Sequence, residues 1–198
     1  MTERSDLLRQ IRDELIAATD APLYAYRTAN NYYPVAGMGN HYAKIMFVGE
    51  APGENEAKQG RPFVGAAGKF LDELLQSIQL KREDVYITNI VKDRPPDNRD
   101  PSREEIAYYA PFLIRQINII QPQVIATLGR FSMTWLLTHY NSPYQTKKIS
   151  ELHGKVIPLD VDYGRISLVA LYHPAQALYK AADRPIHLAD FKALEAFK

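Results

Sequence analysis

The chain has no cysteine among its 198 residues. Neither a disulfide nor a thiolate-held metal cluster can form, because each needs cysteine sulfur. No apolar run approaches the ~20 residues with which a helix spans a bilayer. The first residues, Met1-Thr2-Glu3-Arg4-Ser5-Asp6, are charged rather than the start of an apolar signal core. A soluble, cytoplasmic protein with no membrane partner is expected. A large excess of one charge is also missing, since 24 Lys and Arg stand against 23 Asp and Glu, a formal net charge of +1. Total charge therefore does not announce a nucleic-acid partner; only a local basic surface can. With no linker, internal repeat or low-complexity segment, residues 1–198 are expected to form one domain with a sizeable core.

What is present is an alternation of strand and helix signals. Leu7, Leu8, Ile11, Leu15 and Ile16 recur at helical spacing and predict a surface helix over 5–18. The apolar run from Lys44 to Val48 predicts a buried parallel strand, and Phe70, Leu71, Leu74, Leu75 and Ile78 predict a helix over 69–79. Val85 to Lys92 is a second strand, rich in β-branched and aromatic residues, broken by the proline-rich segment 94–101. Ser102-Arg103-Glu104-Glu105 is a capping-box signature that opens a helix to about Ile120, which Pro122 ends. Strands at 124–128 and 166–171, helices at 131–137 and 185–197, and a loop with a short strand over 147–162 complete the pattern. The class is α/β, a parallel sheet with helices on both faces.

Open sheets of this kind hold ligands at the carboxyl ends of their strands. Three such ends carry polar groups. The first strand runs into Gly49-Glu50-Ala51-Pro52-Gly53 and then Arg61-Pro62-Phe63-Val64-Gly65-Ala66-Ala67-Gly68. Its glycines let main chain approach a ligand closely, and a flat ring can lie between main chain and Phe63. The second ends at Asn89 and the third at Leu171-Tyr172-His173-Pro174-Ala175.

These three blocks, in this order, resemble the uracil-DNA glycosylase superfamily, most closely its family 4, the thermostable bacterial and archaeal type. The likeness runs from about Ile16 to the C-terminal helix. It implies a three-layer α/β/α sandwich around a central four-stranded, mainly parallel sheet. It also implies a monomeric repair enzyme that flips uracil out of DNA, hydrolyses its N-glycosidic bond and leaves an abasic site. Two other readings stay open: a non-catalytic DNA-binding member of the superfamily, and a glycosylase for another deaminated base.

By the resemblance, His173 faces uracil O2, Asn89 pairs with the base edge, Phe63 stacks on the ring, and Glu56 sits beside the C5 edge. Glu50 shapes the loop or polarises water, and Ala51 stands where the best-known branch has an acid. Arg94, Pro95 and Pro96 should contact DNA, with Ala177 or Leu178 entering the gap left by the flipped base. Lys58, Arg61, Lys69, Lys92, Arg94, Arg99, Arg103, Lys180 and Arg184 flank these loops and suggest a DNA-facing rim. His41, His139, His153 and His187 lie outside the motifs and are expected to be structural. Family 4 holds a [4Fe–4S] cluster on four cysteines. In this chain those positions align with Ala18, Ala21, Asp93 and Tyr108 or Tyr109, so a protein with no metal and no cofactor is expected. A tyrosine hydroxyl from Tyr108 or Tyr109 on the Asp93 carboxylate is the candidate replacement.

Overall fold

Successive residues of a strand face opposite sides of its sheet, and here both sides are apolar. The computed structural model describes residues 3–198; Met1 and Thr2, read above as part of a charged N-terminus, lie outside them. Six strands, β1 (Met38–Gly39), β2 (Ile45–Gly49), β3 (Tyr86–Asn89), β4 (Val124–Leu128), β5 (Val156–Val161) and β6 (Gly164–Leu171), form one sheet in the order β1-β3-β2-β4-β6-β5. The inner four run parallel, and β1 and β5 are added antiparallel at the edges. The expected four-stranded sheet is thus the parallel centre of a six-stranded one. Both edge strands are weak signals in sequence. β1 has two residues, and β5 alternates exposed and buried positions because only the face with Ile157 and Leu159 packs on the core.

Nine helices lie among the described residues: α1 (Glu3–Ala17), α2 (Tyr24–Ala29), α3 (Glu54–Gln59), α4 (Ala66–Ser77), α5 (Arg103–Ile120), α6 (Arg130–His139), α7 (Ile149–Leu152), α8 (Gln176–Tyr179) and α9 (Arg184–Phe191). Met46, Val48, Ile125, Leu168 and Ala170 pack with Ile11 and Leu15 of α1, Leu113 and Ile117 of α5, and Leu136 of α6. Their strand neighbours Ile45, Phe47, Ile87, Ala126 and Val169 pack on the other side with Phe70, Leu71 and Leu74 of α4 and Phe191 of α9. Two apolar layers separated by one sheet make the three-layer α/β/α sandwich.

Local signals govern most boundaries. The Ser102 hydroxyl accepts from the Glu105 amide at 3.2 Å and the Glu105 carboxylate accepts from the Ser102 amide at 2.7 Å, so α5 begins where the capping box predicts. The second strand is shorter than its sequence suggests, ending at Asn89 rather than continuing to Lys92. The final helix stops at Phe191 and continues as 3₁₀ turns over Lys192–Phe197. Two short helices, α2 and α3, fall in stretches with too few apolar residues to show a period.

Candidate active site

Parallel pairing of β2 with β3 sets Gly49 directly opposite Asn89, so both loops leave the sheet at one level. The loop after β6 leaves at the same end, because Gly129, which follows β4, donates its amide to the Leu171 carbonyl at 2.8 Å. A cavity of about 410 Å³ opens there, lined by Glu50, Ala51, Glu56, Phe63, Asn89 and His173, with Pro95 from the loop after β3. Six residues expected from sequence as catalytic or base-binding therefore share one cavity, joined by one expected on the DNA side.

Phe63 is 7% exposed and has φ +51°, the left-handed region that bulky side chains seldom adopt. A strained backbone at a cavity wall marks a side chain whose direction matters. Gly68 permits the conformation: a Cβ there would overlap the Phe63 carbonyl. The Phe63 ring centroid lies 5.7 Å from that of His173. Gly49 lies between Phe63 and Asn89, since its Cβ would overlap Asn89 Oδ1 and come within 3.0 Å of the Phe63 ring. Gly49→Ala should therefore displace two cavity groups at once and lower turnover by about 10²-fold, the scale of a 1 Å misplacement. Single-turnover kinetics beside a melting curve check this, and a rate loss matched by unfolding would contradict it.

The Asn89 side chain is 2% exposed, yet its amide makes no hydrogen bond to protein among the described residues, leaving a donor and an acceptor for a ligand. His173 Nδ1 accepts the Ala175 amide at 3.1 Å. The proton therefore resides on Nε2, which is left as a donor. Burial drives the His173 pKa down to about 4, with His187 adding to the depression and Glu56 opposing it. The imidazole is neutral at neutral pH.

The two carboxylates differ. Glu56 Oε1 accepts the amides of Val64 and Gly65 at 2.8 and 2.9 Å, tying α3 to the Phe63 loop while the residue still lines the cavity. Glu50 carries a raised pKa, from burial first and the Asp100 carboxylate second, with Arg130 opposing. Asp100 itself pairs with Arg130 at 3.2 Å.

Several DNA-side expectations change. Arg94 is a brace rather than a rim cation. Its side chain is 9% exposed, and it donates to Asn98 Oδ1 at 2.9 Å and the Tyr32 hydroxyl at 2.9 Å while facing Glu54 at 3.8 Å. Lys92 is fully buried. Ala177 packs into the second apolar cluster at 3% exposure, whereas Leu178 beside it is 45% exposed. Pro96 is half-buried and lies outside the cavity lining. Lys58, Arg99, Lys180 and Arg184 are neutralised by Glu54, Glu105, Asp183 and Glu73. Arg61, Lys69 and Arg103 carry no ion pair among the described residues.

The residues at the cluster positions do not fit an iron–sulfur group. Asp93 and Arg27 are 1% and 5% exposed and pair at 3.0 Å, and the Tyr109 hydroxyl donates to Asp93 Oδ2 at 2.6 Å. Arg27 also donates to the carbonyls of Leu15, Ile16 and Ala18. Tyr108 turns instead to Asp20, at 2.9 Å. The expected tyrosine on Asp93 is thus Tyr109, and the missed partner is Arg27. No group of three or more His, Asp or Glu suited to a metal ion occurs among the described residues.

Comparison with known proteins agrees with this geometry. The sequence model of the uracil DNA glycosylase superfamily matches residues 36–195. The chain is 46% identical over 169 residues to a type-4 uracil-DNA glycosylase of Archaeoglobus fulgidus, covering 85% of this chain and 83% of that one. It is 44% identical to the type-4 uracil-DNA glycosylase of Sulfurisphaera tokodaii, covering 96% of this chain and 84% of that one. Against the Thermotoga maritima type-4 uracil-DNA glycosylase the identity is 39%, over 100% of this chain and 97% of that one.

Proposed function

This chain belongs to the uracil DNA glycosylase superfamily, and from that premise we propose that it is a monofunctional uracil-DNA glycosylase, a DNA-repair hydrolase of the N-glycosidic bond. The observation that carries the proposal is the convergence of Phe63, Asn89 and His173 on one cavity at the carboxyl end of the sheet. A uracil inside a duplex cannot be reached, so the nucleotide is flipped into this cavity. Phe63 offers a π-face to the base. The Asn89 amide presents its donor to O4 and its acceptor to N3–H. Cytosine has the opposite pattern there and leaves buried groups unpaired.

Cleavage of the glycosidic bond sends negative charge onto the departing base. The Nε2–H of neutral His173, aimed at O2, stabilises that charge more in the transition state than in the ground state. Water then bonds to the sugar carbon, its proton ending on the released uracil, and Glu50, which lines the cavity, is the carboxylate that orients it. Glu56 and Ala51 form the wall beside the C5 edge. Leu178 fills the gap in the stack, Pro95 at the cavity wall and Pro96 beside it shape the strand's path, and Arg61, Lys69 and Arg103 meet phosphates. The enzyme works as an intracellular, monomeric, single-domain protein without a metal cofactor.

The deciding measurement is incubation with labelled oligonucleotides holding one U, single-stranded or opposite G or A, followed by alkaline cleavage. Thymine, hypoxanthine and xanthine substrates serve as comparisons. Strand scission at U is expected. Salt-sensitive binding without scission at any base would make the protein a non-catalytic binder, and scission only at another base would move the substrate.

A further inference from the structure

Asn89 would read the base, yet among the described residues no hydrogen bond from the protein directs its amide. Its aim is inherited from its main chain and from packing on Gly49. β2 pairs with this strand end on one edge, but on the other β1 pairs with Tyr86 and Ile87 and, among the described residues, no strand pairs with Thr88 and Asn89 there. Lys92 supplies a hold there from three residues further on. Its stem curls back and Nζ donates to the Asn89 carbonyl, to Thr88 Oγ1 and to Gln116 Oε1, each at 2.7 Å. An ammonium has three N–H groups, and these are the three near acceptors, with the Ala36 carbonyl farther off at 3.5 Å. The cage is closed by Gln116 Nε2 and Thr88 Oγ1, which both donate to the Ala36 carbonyl, at 2.6 and 2.9 Å.

No carboxylate joins this cage, and burial lowers the Lys92 pKa well below its ordinary value. An apolar side chain of similar length would fill the space without that desolvation cost. The use of lysine here lies in what its donors hold. Resting on the glycosylase reading, we propose that Lys92 is a positioning residue for base recognition, locking the Thr88–Asn89 strand end so that the Asn89 amide faces the cavity in one orientation.

Lys92→Met keeps length and volume while removing the three donors. At a temperature where the variant is folded, single-turnover excision of uracil should fall about tenfold or more, with half-saturating DNA concentration unchanged. Because Lys92 acts through Asn89, the double variant Asn89→Ala/Lys92→Met should be no slower than Asn89→Ala alone. A merely structural lysine would lower the melting temperature and leave the rate of the folded fraction intact. A wild-type rate in Lys92→Met, or a double variant slowed by the product of the two single effects, overturns the proposal. The Asn89 side-chain amide resonances, identified by their loss in Asn89→Ala, give a readout independent of catalysis. They should shift and broaden in Lys92→Met, and unchanged resonances would sink the positioning role even if the protein released no uracil. Should Lys92→Met fail to fold, Thr88→Val and Gln116→Leu each remove one acceptor, and smaller rate losses that likewise vanish in the Asn89→Ala background are expected.

Discussion

His173→Ala should lower uracil excision by about 10²–10³-fold, the usual effect of removing one preorganised donor to a developing negative charge, while leaving DNA affinity nearly unchanged. The imidazole has a single proton, and the Ala175 amide directs it to Nε2 by occupying Nδ1. The loss should therefore appear in the chemical step, not in binding, and single-turnover rates beside equilibrium binding separate the two. An alanine variant within a few-fold of wild type would remove His173 from the mechanism.

The same arrangement sets a pH dependence. The folded pKa of His173 lies near 4, below the ordinary 6.5. A depressed histidine pKa means that the folded protein favours the neutral ring, so the stability tied to this residue is complete above 6.5 and is lost as pH falls from 6.5 toward 4. Protonation would also put a second N–H at Nδ1, against the Ala175 amide. Excision should show no histidine-dependent loss as pH rises through 6.5, and should fall only on the acid side. A rate that drops as pH increases through 6.5 would indicate an imidazolium donor instead.

Arg27→Met should destabilise the fold by about 3–5 kcal/mol, the usual result of removing one partner from a buried ion pair. The residue left behind, Asp93, is a carboxylate at 1% exposure with only the Tyr109 hydroxyl to hold it, and the carbonyls of Leu15, Ile16 and Ala18 lose their donor as well. At about 2–4 °C per kcal/mol for a chain of this size, the melting temperature should fall by roughly 6–20 °C. The companion experiment replaces both charges. Arg27→Met/Asp93→Leu should recover much of the loss, because a buried pair exchanged for apolar groups is often close to neutral. Additive losses in the double variant would show that the two residues do not act as a pair. A chelator should leave the melting temperature of the wild-type protein unchanged.

This network also bears on the loop that carries the site. Asp93 lies between Lys92, which holds Asn89, and the Arg94-Pro95 pair, whose arginine braces against Tyr32 and whose proline lines the cavity. At the positions where the sequence resemblance implied a cluster, this chain ties α2 and α5 to that loop through a carboxylate, a guanidinium and a phenol. Arg27 escaped notice in the sequence because it lies 66 residues from Asp93 and belongs to a six-residue helix without an apolar period. The Tyr109 hydroxyl was foreseeable from the aligned positions, but the choice between Tyr108 and Tyr109 was not. Adjacent helical residues point about 100° apart, and only packing decides which one turns inward.

The α/β class, the parallel strands around Phe47, Ile87 and Ala126, the capped start of α5, and the motif residues Glu50, Phe63, Asn89 and His173 are legible in the sequence. These are written in local order: a period of two or 3.6, a side chain and an amide three residues apart, a glycine-rich turn after an apolar run. Folding is what buries Arg94 and Lys92 among internal partners, exposes Leu178 rather than Ala177, leaves other cations to solvent, and makes His173 a neutral Nε2 donor. A side chain's charge is visible in the chain, but its burial and partners depend on residues brought together from distant positions, and in a low-dielectric interior those partners decide what a polar group does.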